Sequence, residues 1–221
     1  MTNADSTNPN LLQSLISDGV QQLGRRHFID AYQSFWRVVC ILKTQTNPDS
    51  SKLLEAYDHA ERAAAMQSRE PIIEDASSWL ELALAVSENS AAVREQFIRS
   101  SAKPEYEMRG RLLAQLQLLS VEHLSLRNFE KALEFAKRSQ KFQEDYREDG
   151  AVPMFHLSAC GNEAMSLFRL GRLDEAMNAV NKALYSWDPE TLNDADGLKC
   201  FAKLCEFKAT ILGVLAKKKL N

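Results

Sequence analysis

With 221 residues, 45% of them hydrophobic and 26% charged, the chain has the composition of a globular protein and not of a disordered one. Its 27 Lys and Arg against 30 Asp and Glu leave a formal net charge of -3, which gives no field to concentrate nucleic acid or an anionic membrane. Only 8 Gly and 6 Pro punctuate this length, too few for the many tight turns of a β-sandwich, so long helices are expected.

Residues 1–10 (MTNADSTNPN) are polar and read as a disordered segment, with Asn8 or Asn10 placed to cap a helix that starts near Leu11. No basic-then-apolar leader opens the chain, and no apolar run reaches the roughly 18 to 20 residues that cross a bilayer, so an intracellular location, cytoplasmic or nuclear, is expected. Cys40, Cys160, Cys200 and Cys205 form no CxxC pair and lie in apolar helical stretches, where they read as reduced core thiols.

Three segments share a local signature: Phe28-Ile29-Asp30-Ala31, Phe129-Glu130-Lys131-Ala132 and Leu173-Asp174-Glu175-Ala176. Each follows a helical stretch and a short polar turn, and each opens a second helix. The bulky first residue closes the hairpin, and the Ala three positions later lets two helices approach closely.

In this pattern the chain resembles the tetratricopeptide repeat (TPR) family, in which a small residue in the first helix precedes an aromatic-x-x-Ala motif and a further small residue. The copy from Leu157 to Pro189 has Ala164, the turn Leu170-Gly171-Arg172-Leu173, Ala176 and Ala183 in those places. The copy from Leu113 to Tyr146 has Ser120, Phe129, Ala132 and then Ser139, and the copy from Leu12 to Gln45 has Gly19, Phe28, Ala31 and then Val38. The resemblance implies an all-α, right-handed superhelical stack of antiparallel helix pairs closed by a C-terminal capping helix.

The organisation expected on that basis is a single helical-repeat domain over 11–221. Repeats fall near 12–45, 113–146 and 157–190, a degenerate pair near 48–87, a short helix over 89–101 and a capping helix over 198–217. Between the clear motifs, Leu53, Leu54, Tyr57, Ala60 and Ala64, then Ile72, Ile73, Ala76, Trp79, Leu80 and Ala83, recur at helical period, with Pro71 marking a new start. Val93, Phe97 and Ile98 of the short helix are placed to seal the stack. Ala132 and Ala176 are 44 residues apart, longer than the usual repeat of about 34, and the extra length falls around 141–153. Longer repeats of this sort are similar to those of kinesin light chains and related cargo adaptors. In the last helix Phe201, Leu204, Cys205, Phe207, Ile211, Leu212 and Leu215 form a broad apolar face, and Lys217 to Lys219 sit where the helix dipole favours positive charge.

His27, His59, His123 and His156 stand apart without a second ligand at metal spacing, so no metal site is read; His59 with Glu55 is an i, i+4 surface pair. No phosphate-binding loop, dinucleotide fingerprint, nucleophile elbow or zincin helix occurs, and no cofactor is expected. Trp36, Trp79 and Trp187 read as core.

The repeat register puts the first helix of each pair on the concave face of such a stack. Gln117, Val121 and Leu124, then Ser158, Asn162, Met165, Phe168 and Arg169, would line a groove for a partner protein's helix or peptide segment. With Cys205 in the small position of the last helix, Lys199 and Lys203 point into the same groove. Some co-chaperone TPR domains hold the C-terminal carboxylate of Hsp70 or Hsp90 with an Asn and a Lys/Arg pair. Asn162, Lys199 and Lys203 resemble that clamp, and Gln117 and Val121 depart from it. The reading is therefore an interaction module, an adaptor or assembly subunit, with chaperone-tail binding as a second reading and an enzyme or ligand-binding protein on a helical scaffold as a third.

Overall fold

The computed structural model describes residues 9–70, 75–101, 105–146, 153–186 and 195–220. Among these, regular structure is entirely helical: α1 (Pro9–Gly24), α2 (Phe28–Lys43), α3 (Ser50–Gln67), α4 (Ala76–Ser100), α5 (Tyr106–Ser125), α6 (Phe129–Asp145), α7 (Pro153–Arg169), α8 (Leu173–Ser186) and α9 (Ala195–Leu220). The all-α expectation of paired helices holds. The chain divides into two compact units, Met1–Met108 and Arg109–Asn221. In the first, α1 to α4 pack each against the next; in the second, α7 packs on α6, α8 and α9.

The three motif-bearing hairpins turn in the same way. The amides of Arg26 and His27 donate to the carbonyls of Leu23 and Gln22, at 3.1 and 2.9 Å. Those of Arg127 and Asn128 donate to Leu124 and His123, at 3.1 and 2.8 Å, and those of Gly171 and Arg172 to Phe168 and Leu167, at 3.0 and 2.9 Å. This is the Schellman ending, which satisfies carbonyls left over at a helix C-terminus and requires a left-handed residue. Arg26, Arg127 and Gly171 supply it, with φ of 62°, 61° and 76°.

Only the third turn uses the residue type that adopts this conformation without a Cβ clash. Arg127→Gly is therefore expected to stabilise the fold by about 0.5–1 kcal/mol, the relief of strain exceeding the added unfolded-state entropy. Urea denaturation checks this. Arg127 is the cleaner position, because Arg26 also pairs with Glu70 at 2.7 Å.

After each turn the helix restarts in register. Ala31, Ala132 and Ala176 donate their amides to the carbonyls of His27, Asn128 and Arg172 at 3.0, 3.0 and 2.9 Å, and all three have no exposed surface. Seven residues on, Val38, Ser139 and Ala183 are equally buried. The small residues of the preceding helices, Gly19, Ser120 and Ala164, are buried too. Ser120 Oγ donates to the carbonyl of Ala132 at 2.8 Å, so its hydroxyl is satisfied inside the crossing. At Gly19 an added Cβ would stand 2.7 Å from Phe35 Cζ.

The middle of the first unit is helical as its period requires, and Leu53, Leu54, Tyr57, Ala60 and Ala64 are all buried. Asp49 caps α3 by accepting the Lys52 amide at 3.1 Å, which holds its carboxyl below the usual carboxylate range. The expected separate helix over 89–101 does not exist. Its residues are the second half of α4, which runs unbroken from Ala76 to Ser100. The polar stretch that suggests a break is accommodated instead: Ser90 Oγ donates to Asp58 Oδ1 at 3.3 Å, and Arg94 reaches both oxygens of the same carboxylate at 2.8 and 2.9 Å.

Other boundaries shift for local reasons. Pro9 begins α1, two residues early, because proline's missing N–H costs nothing in a first helical turn. The last helix spans 195–220, longer than the expected 198–217. Asn8, Pro71, Ile72, Ile73, Trp187 and residues 147–152 of the insertion expected at 141–153 lie outside the described residues. Trp36 and Trp79 are half-buried and meet through Tyr32, which stacks on Trp36 at 5.9 Å and meets Trp79 edge-on at 5.7 Å. The cysteines are free, but only Cys160 is fully in the core; Cys40 and Cys205 are exposed, because they fall on the outward faces of α2 and α9.

Candidate functional site

The second unit holds a cavity of about 410 Å³ between α5, α7 and α9. Val121 and Leu124 of α5 form one wall. From α7 come Leu157, Ser158, Gly161, Asn162 and Met165, of which 158, 161, 162 and 165 follow the i, i+3, i+4, i+7 spacing of a single helix face. Cys200, Lys203, Leu204 and Phe207 of α9 close the far side. Leu204 is buried and lies 3.6 Å from where a Cβ on Gly161 would be, an ordinary contact, so the two helices meet closely at the base.

Three features set the chemistry. The lining is mainly apolar, with Val121 44% exposed and so available at the mouth. The Asn162 Nδ2 is enclosed and has no hydrogen-bond acceptor, a state that costs about 1–3 kcal/mol until an acceptor arrives. Lys203 is exposed and is the single charged group of the lining among the described residues. An incoming segment would thus meet an apolar recess, an amide donor and one ammonium.

Of the residues expected from the sequence, Val121, Leu124, Ser158, Asn162, Met165 and Lys203 come together here. Four do not line the cavity. Gln117 is half-buried and donates Nε2 to the carbonyl of Phe155 at 2.6 Å, tying α5 to α7. Phe168 turns inward and meets the Phe207 ring edge-on, with centroids 5.5 Å apart. Arg169 is exposed at the end of α7, and Lys199 is exposed on α9 one turn before Lys203.

The register that puts Cys205 in the small position of α9 is one residue out of phase. Cys205 is exposed, and the buried positions are Gly197, Leu204 and Ile211, flanked by the half-buried Cys200, Phe207 and Leu215. The row at 200, 204, 207, 211 and 215 is visible in the sequence. A second apolar row on the same helix masks it, so amphipathicity alone does not choose between them.

A second cleft, of about 440 Å³, lies between α6, α7 and α8 and is polar. Its charges are largely matched internally: Gln140 Nε2 donates to Glu163 at 2.7 Å, Lys182 pairs with Glu144 at 3.4 Å and Lys141 with Asp145 at 2.8 Å. It therefore offers little unbalanced charge to a ligand.

Among the described residues no group of three His, Cys, Asp or Glu is arranged to hold a metal ion, and no helix is long and apolar enough to cross a membrane. Cys160 Sγ lies 3.6 Å from His156 Nε2, a pairing that could suggest a nucleophile. Burial, aided by the nearby Glu163 charge, pushes its pKa up to about 12, so the thiol stays protonated. Ellman's reagent at pH 8 is expected to modify Cys40 and Cys205 promptly and Cys160 only after unfolding. Because the folded pKa lies above the ordinary 9.0, this thiol's contribution to stability is complete below pH 9 and is lost as pH rises towards 12.

Neither a protein-family model nor a curated protein matches the chain. Among solved structures it is similar to the crystal structure of a putative kinesin light chain from Podosopora anserina with nearly identical TPR-like repeats, over 97% of this chain and 96% of that one, at 14% identity and a TM-score of 0.49. It is likewise similar to a second crystal structure of that protein, a single-substitution form, over 95% and 97% of the two chains, at 14% identity and a TM-score of 0.49.

Proposed function

We propose that this protein is a non-catalytic interaction module, an adaptor or assembly subunit, that receives a helix or peptide segment of a partner protein in the groove between α5, α7 and α9. The supporting observation is the apolar recess whose lining includes both an enclosed, unsatisfied Asn162 amide and Lys203. A peptide carries what this surface lacks: an apolar side chain to fill the recess and a backbone carbonyl to accept from Nδ2.

A second reading is the grip of a chaperone's C-terminal carboxylate. It is supported by Asn162 and Lys203 lining one cavity, and weakened by Lys199 standing outside it and by Gln117 being engaged with Phe155. An enzyme or ligand-binding role receives less support, since the described residues of the lining supply one ionisable amine, the Asn162 amide and two weakly polar side chains at Ser158 and Cys200, with no carboxylate or imidazole among them.

The test is recovery of partners from native cells at gentle salt with wild type and a Val121→Glu, Met165→Glu variant, both confirmed folded by circular dichroism. Loss of a stoichiometric partner by at least tenfold, about 1.4 kcal/mol or more, is expected. Undiminished recovery would sink the groove reading. A peptide ending in Glu-Glu-Val-Asp, bound by wild type and not by Lys203→Ala, would favour the chaperone tail.

A further inference from the structure

We propose that the groove between α5, α7 and α9 takes the C-terminal turn of a partner helix, end first, and not a helix laid lengthwise or an extended strand. This rests on the groove being the interaction site. Its walls are helices, whose backbone groups are already engaged. The carbonyl of Leu124 accepts the Arg127 amide at 3.1 Å, that of Val121 accepts Ser125 Oγ at 3.0 Å, and that of Asn162 accepts Ser166 Oγ at 2.7 Å.

Side chains are what remains for a partner, and among the described lining they favour donation. Asn162 Nδ2 has no acceptor, and the Lys203 ammonium can only donate. The oxygen acceptors are Ser158 Oγ and Asn162 Oδ1, with no carboxylate beside them. Glu163, next in sequence to Asn162, lines the polar cleft instead, where it accepts from Gln140 at 2.7 Å.

That balance discriminates between backbones. An extended segment brings one N–H for every C=O, and each N–H enclosed without an acceptor is costly. The middle of a helix is paired with itself and leaves Asn162 Nδ2 as it was. The end of a helix differs, because its last four carbonyls have no intrahelical partner and carry the negative pole of the dipole. A C-terminal turn thus brings acceptors without donors to a site of donors and one cation; an N-terminal turn brings the opposite. Size agrees: one helical turn, about 10 Å across and ~5.4 Å long, fills about 420 Å³, and the cavity holds about 410 Å³.

The probes are three labelled peptides of ~18 residues, acetylated and amidated so that neither end is charged, and long enough to be helical alone. The first has two leucines in its last turn. The second, of the same composition, has them in its first turn, and the third is the first with two central residues changed to proline. Fluorescence anisotropy with the full chain is expected to show the last-turn peptide binding about tenfold or more tighter than the other two. Asn162→Leu and Lys203→Gln are each expected to weaken it by about threefold to tenfold and to leave the first-turn peptide unchanged. Asn162→Leu is expected not to lower the urea midpoint, since Nδ2 has no hydrogen bond to lose; should it fail to fold, Lys203→Gln, at an exposed side chain, carries the test. Lys199→Gln, outside the lining, is expected to change nothing, and a loss equal to that of Lys203→Gln would assign binding to a general positive field and overturn the proposal. No binding of the last-turn peptide at ~1 mM overturns it too. So does a free-acid form of the proline peptide that binds as tightly as the helical amide, which would make a terminal carboxylate the occupant. Equal binding of all three peptides, abolished by Val121→Glu with Met165→Glu, overturns this occupant and leaves the groove reading standing; equal binding indifferent to that pair sinks both.

Discussion

Substituting Ala for Gly19 is expected to destabilise the protein in the wild-type background and to stabilise it once Phe35 has been shortened to Leu. Phe35 is fully buried, stacks on His59 at a centroid distance of 4.7 Å, and holds its ring tip where the Gly19 side chain would be. A methyl group 2.7 Å from Cζ forces that ring to move within a close-packed core. Such overpacking costs about 1–3 kcal/mol, against about 1 kcal/mol gained by replacing a helical Gly with Ala. With Leu at position 35 the clash is gone and the helix-propensity gain remains. Phe35→Ala alone is expected to cost about 3–5 kcal/mol. Urea denaturation of the four proteins of the double-mutant cycle measures the coupling. Additive effects would mean that Gly19 and Phe35 do not share this space.

The second large effect concerns Asp58 and Arg94. The Arg94 side chain is 6% exposed while Asp58 is 41% exposed, so water reaches the carboxylate but hardly the guanidinium. Removing the acid leaves a cation in the α3–α4 contact with its two-oxygen partner gone. For fully buried pairs that costs about 3–5 kcal/mol; with Asp58 partly solvated, about 2 kcal/mol is expected for Asp58→Ala. Replacing both, as Asp58→Ala with Arg94→Met, is expected to return to within about 1 kcal/mol of wild type, because the charge that needed compensation has been removed and its volume kept. Thermal and urea unfolding report both values. If the double variant is as unstable as the single one, the pair's role is not charge compensation.

The same pair explains why the sequence suggests a helix boundary that the first unit does not have. Ser87, Ser90 and Arg94 interrupt the apolar period of 76–100. Their polarity is absorbed across the contact, in part by Asp58, which lies 36 residues before Arg94, and α4 passes through unbroken. The left-handed turns at Arg26 and Arg127 are likewise hidden, since arginine carries no sign of a positive φ, whereas Gly171 does.

What the sequence by itself determined is the local architecture: which stretches are helical, where three hairpins turn, and which small residues sit at the crossings. Those depend on neighbours within one or two turns, and a period of about 3.6 with Ala at a fixed offset from a bulky residue is enough to encode them. Only the tertiary structure decided which face of α9 turns inward, that Phe168 points to the core while Met165 lines the cavity, and that Asn162 and Lys203 line one cavity without Lys199. Those outcomes depend on the rotational phase of one helix against others distant in sequence. Side-chain packing across the contact sets that phase, and two competing apolar rows on a single helix leave it open until the contact is made.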